Sequence, residues 1–213
     1  MTRLNVPTKI CKLCFKDIRD ISLMNLINPD IELCKKCYQN IRPKFKKFDV
    51  SGCKGLSIYE YDEKIQSLLY QFKGCFDIEL KNLFFNRYIN VLNLFYRGYI
   101  MVPIPSYEVD DAIREFNHVE EMFSKLKIPK LKLIKKTKGI KQASSNFDKR
   151  KEISKYLELT DLSPLIGKKI LIVDDVYTTG STMKAAIKLI RELHPKKIKV
   201  LVMSKTLNKD EKK

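Results

Sequence analysis

The feature that most constrains this chain is the run Ile170-Leu-Ile-Val-Asp-Asp-Val-Tyr-Thr-Thr-Gly-Ser-Thr182. It begins as a continuous apolar stretch, the pattern of a strand buried on both faces, which belongs to parallel sheets covered by helices. It then passes through small hydroxyl residues around Gly180 into an apolar repeat of helical period. A strand that gives way to a helix in this manner places backbone N–H groups and the positive end of the helix at the carboxyl edge of the sheet. Gly180 permits backbone conformations that other residues avoid, and Thr178, Thr179, Ser181 and Thr182 add hydroxyl donors. Such a nest fits a phosphate monoester. Asp174 and Asp175 stand directly before it. Two adjacent carboxylates repel a second phosphate; they suit hydroxyl donors such as a ribose diol, or a magnesium shell reached through water.

The flanking sequence is consistent with that strand. Short apolar runs at residues 99–104, 130–134, 169–173 and 199–203 read as strands, and residues 109–127, 147–159 and 182–193 read as helices. This alternation predicts an α/β fold, a parallel sheet flanked by helices. Residues 49–96 read as largely helical, with Ile65, Leu68, Leu69 and Phe72 on one face and Gly74 as a break. Two domains are expected, a small module over 1–48 and an α/β domain over 49–213.

The small module rests on cysteines. Cys11-Lys-Leu-Cys14 and Cys34-Lys-Lys-Cys37 are separated by nineteen residues, which matches the spacing of four-thiolate zinc sites. Each knuckle supplies two ligands from one turn, and Lys12, Lys35 and Lys36 partly neutralise them. A closed four-thiolate shell leaves no open position, so the expected Zn²⁺ is structural and contributes folding energy to a module too small for its own core. Cys53 and Cys75 are read as ordinary thiols.

The 213 residues carry a formal net charge of +17, which draws polyanions. Residues 125–155 concentrate twelve Lys/Arg against two acidic residues, and with Phe147 and Tyr156 they suit a single-stranded nucleic acid. No apolar run reaches membrane-spanning length and residues 1–10 do not read as a secretion signal. The expectation is therefore a cytoplasmic protein without membrane insertion.

Residues 170–182 resemble the phosphoribosyl-pyrophosphate (PRPP) motif of type I phosphoribosyltransferases: apolar residues, two acids, then Thr-Thr-Gly-x-Thr. That resemblance implies a 5′-phosphate held by Thr178, Thr179, Gly180, Ser181 and Thr182, ribose hydroxyls held by Asp174 and Asp175, and Mg²⁺ bridging the ribose and the pyrophosphate. Asp174 and Asp175 are also the expected catalytic carboxylates. Ser106, in the loop after residues 102–105 (Val-Pro-Ile-Pro), and Arg114 are the other expected ligand contacts. A long loop near Gly139 is expected to close over substrate. With the cysteine knuckles, the segments Tyr70-Gln-Phe-Lys-Gly74 and Arg114-Glu-Phe-Asn-His118, and the region around Gln142, the chain resembles the ComF family of competence proteins, ComFC type. There are two departures. Glu115 stands where the family commonly has Gly, and Tyr107-Glu-Val-Asp-Asp111 is acidic where the family usually has an Arg. The resemblance implies handling of incoming single-stranded DNA beside a ComFA-type ATPase, with PRPP or ribose 5-phosphate as ligand. Two alternatives remain open: a phosphoribosyltransferase of nucleotide salvage, with an unidentified acceptor, and a non-catalytic regulator that senses PRPP.

Overall fold

The computed structural model describes residues 9–18, 32–137 and 156–207. Its centre is a five-stranded sheet of order β3-β4-β9-β8-β5. The strands are β3 (Lys46–Val50), β4 (Cys53–Glu60), β5 (Tyr99–Pro103), β8 (Lys169–Tyr177) and β9 (Lys197–Lys205). β4, β9, β8 and β5 run parallel, whereas β3 pairs antiparallel with β4. The sheet is thus mixed, with the expected parallel core and one antiparallel edge strand.

That edge hairpin falls within and just before the segment read as helical. Its turn is Ser51-Gly52, with φ of 48° and 71°, and Val50 faces Cys53 across it. Positive φ at both turn residues is the twist that matches two antiparallel strands. The Ser-Gly pair was the available signal. The rest of the segment is helical as expected. Helix α2 (Glu63–Gly74) is capped by Asp62, which accepts from the Ile65 N–H at 2.9 Å. It buries Ile65, Leu68, Leu69 and Phe72, the face expected from their spacing. A 3₁₀ turn (Ile78–Leu83) and α3 (Ile89–Phe95) follow.

Alternation along the central strands feeds two cores, one on each face. Leu171, Val173, Leu201 and Met203 join Leu68, Phe72, Phe84 and Phe123 on one side. Ile170, Ile172, Val200 and Val202 meet Met183, Ala186, Ile187 and Ile190 on the other. Those last four lie at i, i+3, i+4 and i+7 of α6 (Ser181–Glu192), the stripe of a helix packed on a sheet.

Two other expectations change. Residues 109–127 form two short helices, α4 (Glu108–Arg114) and α5 (His118–Met122). The chain turns at Glu115, whose φ is 62°, and Asn117 starts a new helix by accepting from the Glu120 N–H. Asn117 followed three residues later by Glu120 is a helix-start signal. Residues 130–134 touch the sheet through a single parallel bridge, Lys130 to Met101. The chain then forms β6 (Ile134–Lys136), antiparallel to β7 (Leu157–Leu159), so residues 157–159 are strand rather than helix. Residues 138–155, which include the Gly139 loop, the Gln142 region and Phe147, lie outside the described residues.

Candidate functional site

β8 runs on past the expected strand end and carries both carboxylates on its last turns of pleat. β5 ends opposite Val173 whereas β9 stays paired as far as Tyr177, and beyond the end of β5 Asp175 meets side chains from two helices. Asp175 is buried. Its Oδ2 accepts from Lys73 Nζ at 2.7 Å and from His118 Nε2 at 3.1 Å. Its Oδ1 accepts from the Val176 N–H at 2.6 Å. Burial alone would raise this carboxyl, but the His118 hydrogen bond and the Lys73 charge outweigh it and hold Asp175 well below the usual carboxylate range. Asp174 is half-buried, and its Oδ1 accepts from the Asp175 N–H. Burial, then the charge of Asp175, raises Asp174 well above its ordinary value. One acid is therefore fixed as an anion and its neighbour is pushed toward the neutral form, a separation typical of functional carboxylate pairs.

The clamp on Asp175 extends into the loop after β5. Arg114 Nη1 lies 3.0 Å from His118 Nδ1 and 2.9 Å from Asp111 Oδ1. A guanidinium can only donate, so Nδ1 accepts and the hydrogen is assigned to Nε2, directed at Asp175. Ser106 Oγ donates to Asp111 Oδ1 at 2.5 Å, and Asn117 Nδ2 donates to Asp111 Oδ2 and to Ser106 Oγ at 2.7 and 2.9 Å. The expected contacts Ser106 and Arg114 are thereby joined to Asp175 in one polar chain. Arg114 points inward, with a side chain only 9% exposed. Asp111, from the acidic stretch that departs from the family pattern, is the acceptor on which Ser106, Arg114 and Asn117 converge. Glu115, the other departure, is exposed at the end of α4. Its positive φ gives a reason for Gly at that position, since only Gly adopts this conformation without steric cost.

Thr178, Thr179 and Gly180 form the turn between β8 and α6, and Ser181 and Thr182 open the helix. Gly180 has φ 75° and is the residue before the first turn; no side chain caps it. A Cβ there would collide with the Tyr177 phenol. Tyr177 in turn packs on Phe48 with centroids 4.7 Å apart, so the edge hairpin supports the loop from below. The first-turn N–H groups of a twelve-residue helix have no partner within the helix. They and the Thr179 and Ser181 hydroxyls, 3.0 Å apart, form an anion-receptive end beside the carboxylates.

The cysteine cluster is assembled as well. The Sγ atoms of Cys11, Cys14, Cys34 and Cys37 all lie within 4.8 Å of one another, and Cys14 and Cys34 are 3.7 Å apart. A tetrahedron with metal–sulfur bonds of ~2.3 Å has edges of ~3.8 Å, so these four residues can hold a metal ion. β1 (Lys9–Ile10) and β2 (Asp17–Ile18) form the hairpin of the first knuckle, and Cys34 caps α1 (Lys35–Asn40), which carries Cys37. Burial would raise Cys11, but backbone hydrogen bonds at Cys34, Cys14 and Leu13 bring it down to about 7. Lys12, paired with Glu32 nearby, also binds Glu79 of the 3₁₀ turn, and the Tyr38 hydroxyl meets that of Tyr88, so the cysteine region is tied to the helices after the hairpin.

Lys73, Asp111, Asn117 and His118 were not among the site residues expected from sequence. Lys73 and His118 did lie inside the segments that carried the family resemblance, but nothing local says that their side chains converge on Asp175.

Comparison with known proteins agrees with this reading of the fold. The phosphoribosyl transferase domain family matches residues 117–213. Competence protein ComFC of Streptococcus pneumoniae (strain ATCC BAA-255 / R6) is 30% identical over 149 residues, 70% of this chain and 66% of that protein. Competence protein ComFC of Bacillus subtilis (strain 168) is 26% identical over 138 residues, 64% of this chain and 57% of its own. The matched region thus spans less than two thirds of these relatives' length. Human hypoxanthine-guanine phosphoribosyltransferase is 50% identical over 40 residues, 19% of this chain and 18% of that protein. No helix among the described residues is long and apolar enough to cross a membrane. With a phosphoribosyl transferase domain match and a four-cysteine cluster near its start, the chain is similar to the ComFC proteins of the ComF family.

Proposed function

We propose that the carboxyl end of β8 binds PRPP, and that the protein serves in competence, as the names of its ComFC relatives suggest, by assisting the handling of incoming single-stranded DNA. The observation that carries the ligand reading is the placement of two half-buried to buried carboxylates directly before a glycine-turned helix start. In this reading the N–H groups and hydroxyls of residues 178–182 hold the 5′-phosphate. Asp174 and Asp175 accept from the ribose hydroxyls, with Asp175 held ionised and in place by Lys73 and His118. The same two residues would hold Mg²⁺ through water, which would offset the pyrophosphate charge. A fixed carboxylate beside the anomeric carbon also stabilises positive charge developing there. The four cysteines hold a structural Zn²⁺.

Calorimetric titration of PRPP with Mg²⁺ tests the ligand reading. Asp174→Ala with Asp175→Ala is expected to weaken binding at least 100-fold; unchanged binding in that variant refutes it. Pyrophosphate release across a panel of acceptors then separates a transferase from a binder.

A further inference from the structure

The amino edge of the same sheet has the opposite chemistry. Tyr99, Lys169 and Lys197 are lateral neighbours on β5, β8 and β9, and Lys199 faces Lys54 on β4. Lys199 Nζ lies 4.4 Å from the ring centre of Phe95 and 5.3 Å from that of Tyr99. Lys54 and Lys197, with Arg191, His194 and Lys196, also line a cavity of about 510 Å³ that has no acidic wall residue. Among the described residues, none of Lys168, Lys169, Lys196, Lys197 and Lys199 has a carboxylate partner, while Asp49 is taken by Lys54 at 2.6 Å. Burial, followed by the charges of Lys197 and Lys169, holds Lys199 below its ordinary value. Like charges crowd here, and among the described residues the carboxylate that meets them is Asp49, on Lys54. Phe95 remains 59% exposed beside them, with Leu94 and Val91.

We propose that this edge is a binding surface for single-stranded nucleic acid, with phosphates along the lysine row and in the cavity, and a base stacked on Phe95. The proposal rests on the reading that the protein handles single-stranded DNA and gives that reading a location. Three steps between parallel strands span about 14 Å, room for several phosphates. An exposed aromatic face beside a basic track is the arrangement that takes unpaired bases; a duplex offers no free base face to it. The basic stretch at 125–155 is a weaker candidate among its described residues, because Lys130 and Lys132 bind Glu120 and Lys135 binds Glu158.

Fluorescence anisotropy with labelled oligo-dT tests the assignment. Lys196→Ala with Lys197→Ala is expected to weaken binding about 10- to 30-fold at 0.1 M salt and to reduce the salt slope by about 1.4, the loss of two phosphate contacts. Phe95→Leu, which keeps apolar volume, is expected to weaken binding about fivefold or more through lost stacking. PRPP binding and melting temperature should stay at wild-type values in both. If these variants bind oligo-dT normally while Lys135→Glu with Lys136→Glu does not, the location is overturned and the DNA reading stands. If wild-type protein fails to bind oligo-dT, both fall. If the Lys196/Lys197 variant loses binding only to phosphatidylglycerol vesicles, the edge serves a membrane surface and the proposal is overturned.

Discussion

The cysteine cluster and the carboxylate cluster are built in opposite ways. Each cysteine knuckle is closed by a tight turn of four residues, and only one longer connection joins the two. The carboxylate cluster draws on β8, on Lys73 at the end of α2 and on His118 at the start of α5, partners 102 and 57 residues from Asp175. The first needs a metal and little else. The second exists only when the core on one face of the sheet is packed, because α2 and α5 both bury their apolar residues there and so set where Lys73 and His118 arrive. A locally coded site should fail alone; a site assembled by the core should share its stability with the domain.

The sharpest test of that contrast is metal removal. Cys34→Ser with Cys37→Ser is expected to lower bound zinc from one per chain to none, measured by atomic emission. Structural zinc contributes about 10 kcal/mol or more to small modules, so amide signals of residues 9–18 and 32–40 should lose dispersion while those of β8 and β9 keep theirs. Collapse of both regions together would show that the module is part of the domain core.

Smaller effects are expected at the carboxylates, and the two adjacent acids should respond with opposite signs. Asp175 is lowered in the folded chain, so its stabilisation is present above the unfolded value near 4 and is lost as pH falls through the folded one. Asp175→Asn should cost about 1–3 kcal/mol at pH 7, a cost that shrinks below pH ~4 in urea titrations. Lys73→Met should cost less, about 1–2 kcal/mol, because Lys73 is 38% exposed and solvent screens its charge. Asp174 is raised. Between the unfolded value and the raised one the folded chain holds more protons, so stability falls as pH rises. Asp174→Asn should therefore increase the melting temperature at pH 7, with the gain fading as pH drops toward 4, while PRPP binding weakens. An acid that costs stability where it stands is one retained for its chemistry. The smallest change is expected at Glu115, where Gly relieves a left-handed backbone. Glu115→Gly should add about 1 kcal/mol, or ~2–4 °C in melting temperature by calorimetry.

Much of the architecture was legible from periodicity. The doubly buried β8, the α2 face around Phe72, and the helix read over 182–193 follow from apolar spacing, which is local. The elements misread were those where weak local signals met a strong competing pattern. The β3–β4 hairpin turned on Ser51-Gly52, and the break between α4 and α5 turned on Glu115 and Asn117, each a matter of one or two residues. At the site, the residues 174–182 were readable because a strand, a turn and a helix start are consecutive in the chain.

The sequence by itself determined the glycine turn at Gly180, the acid pair before it and the pairing of four cysteines, because each depends on spacing within one or two turns of backbone. Only the tertiary structure decided that Lys73 and His118 hold Asp175, that Arg114 and Asp111 brace His118, and that Lys169, Lys197 and Lys199 gather at the opposite edge beside Phe95. Those contacts join residues distant in the chain, and their positions are set by how helices and strands bury their apolar faces against one another.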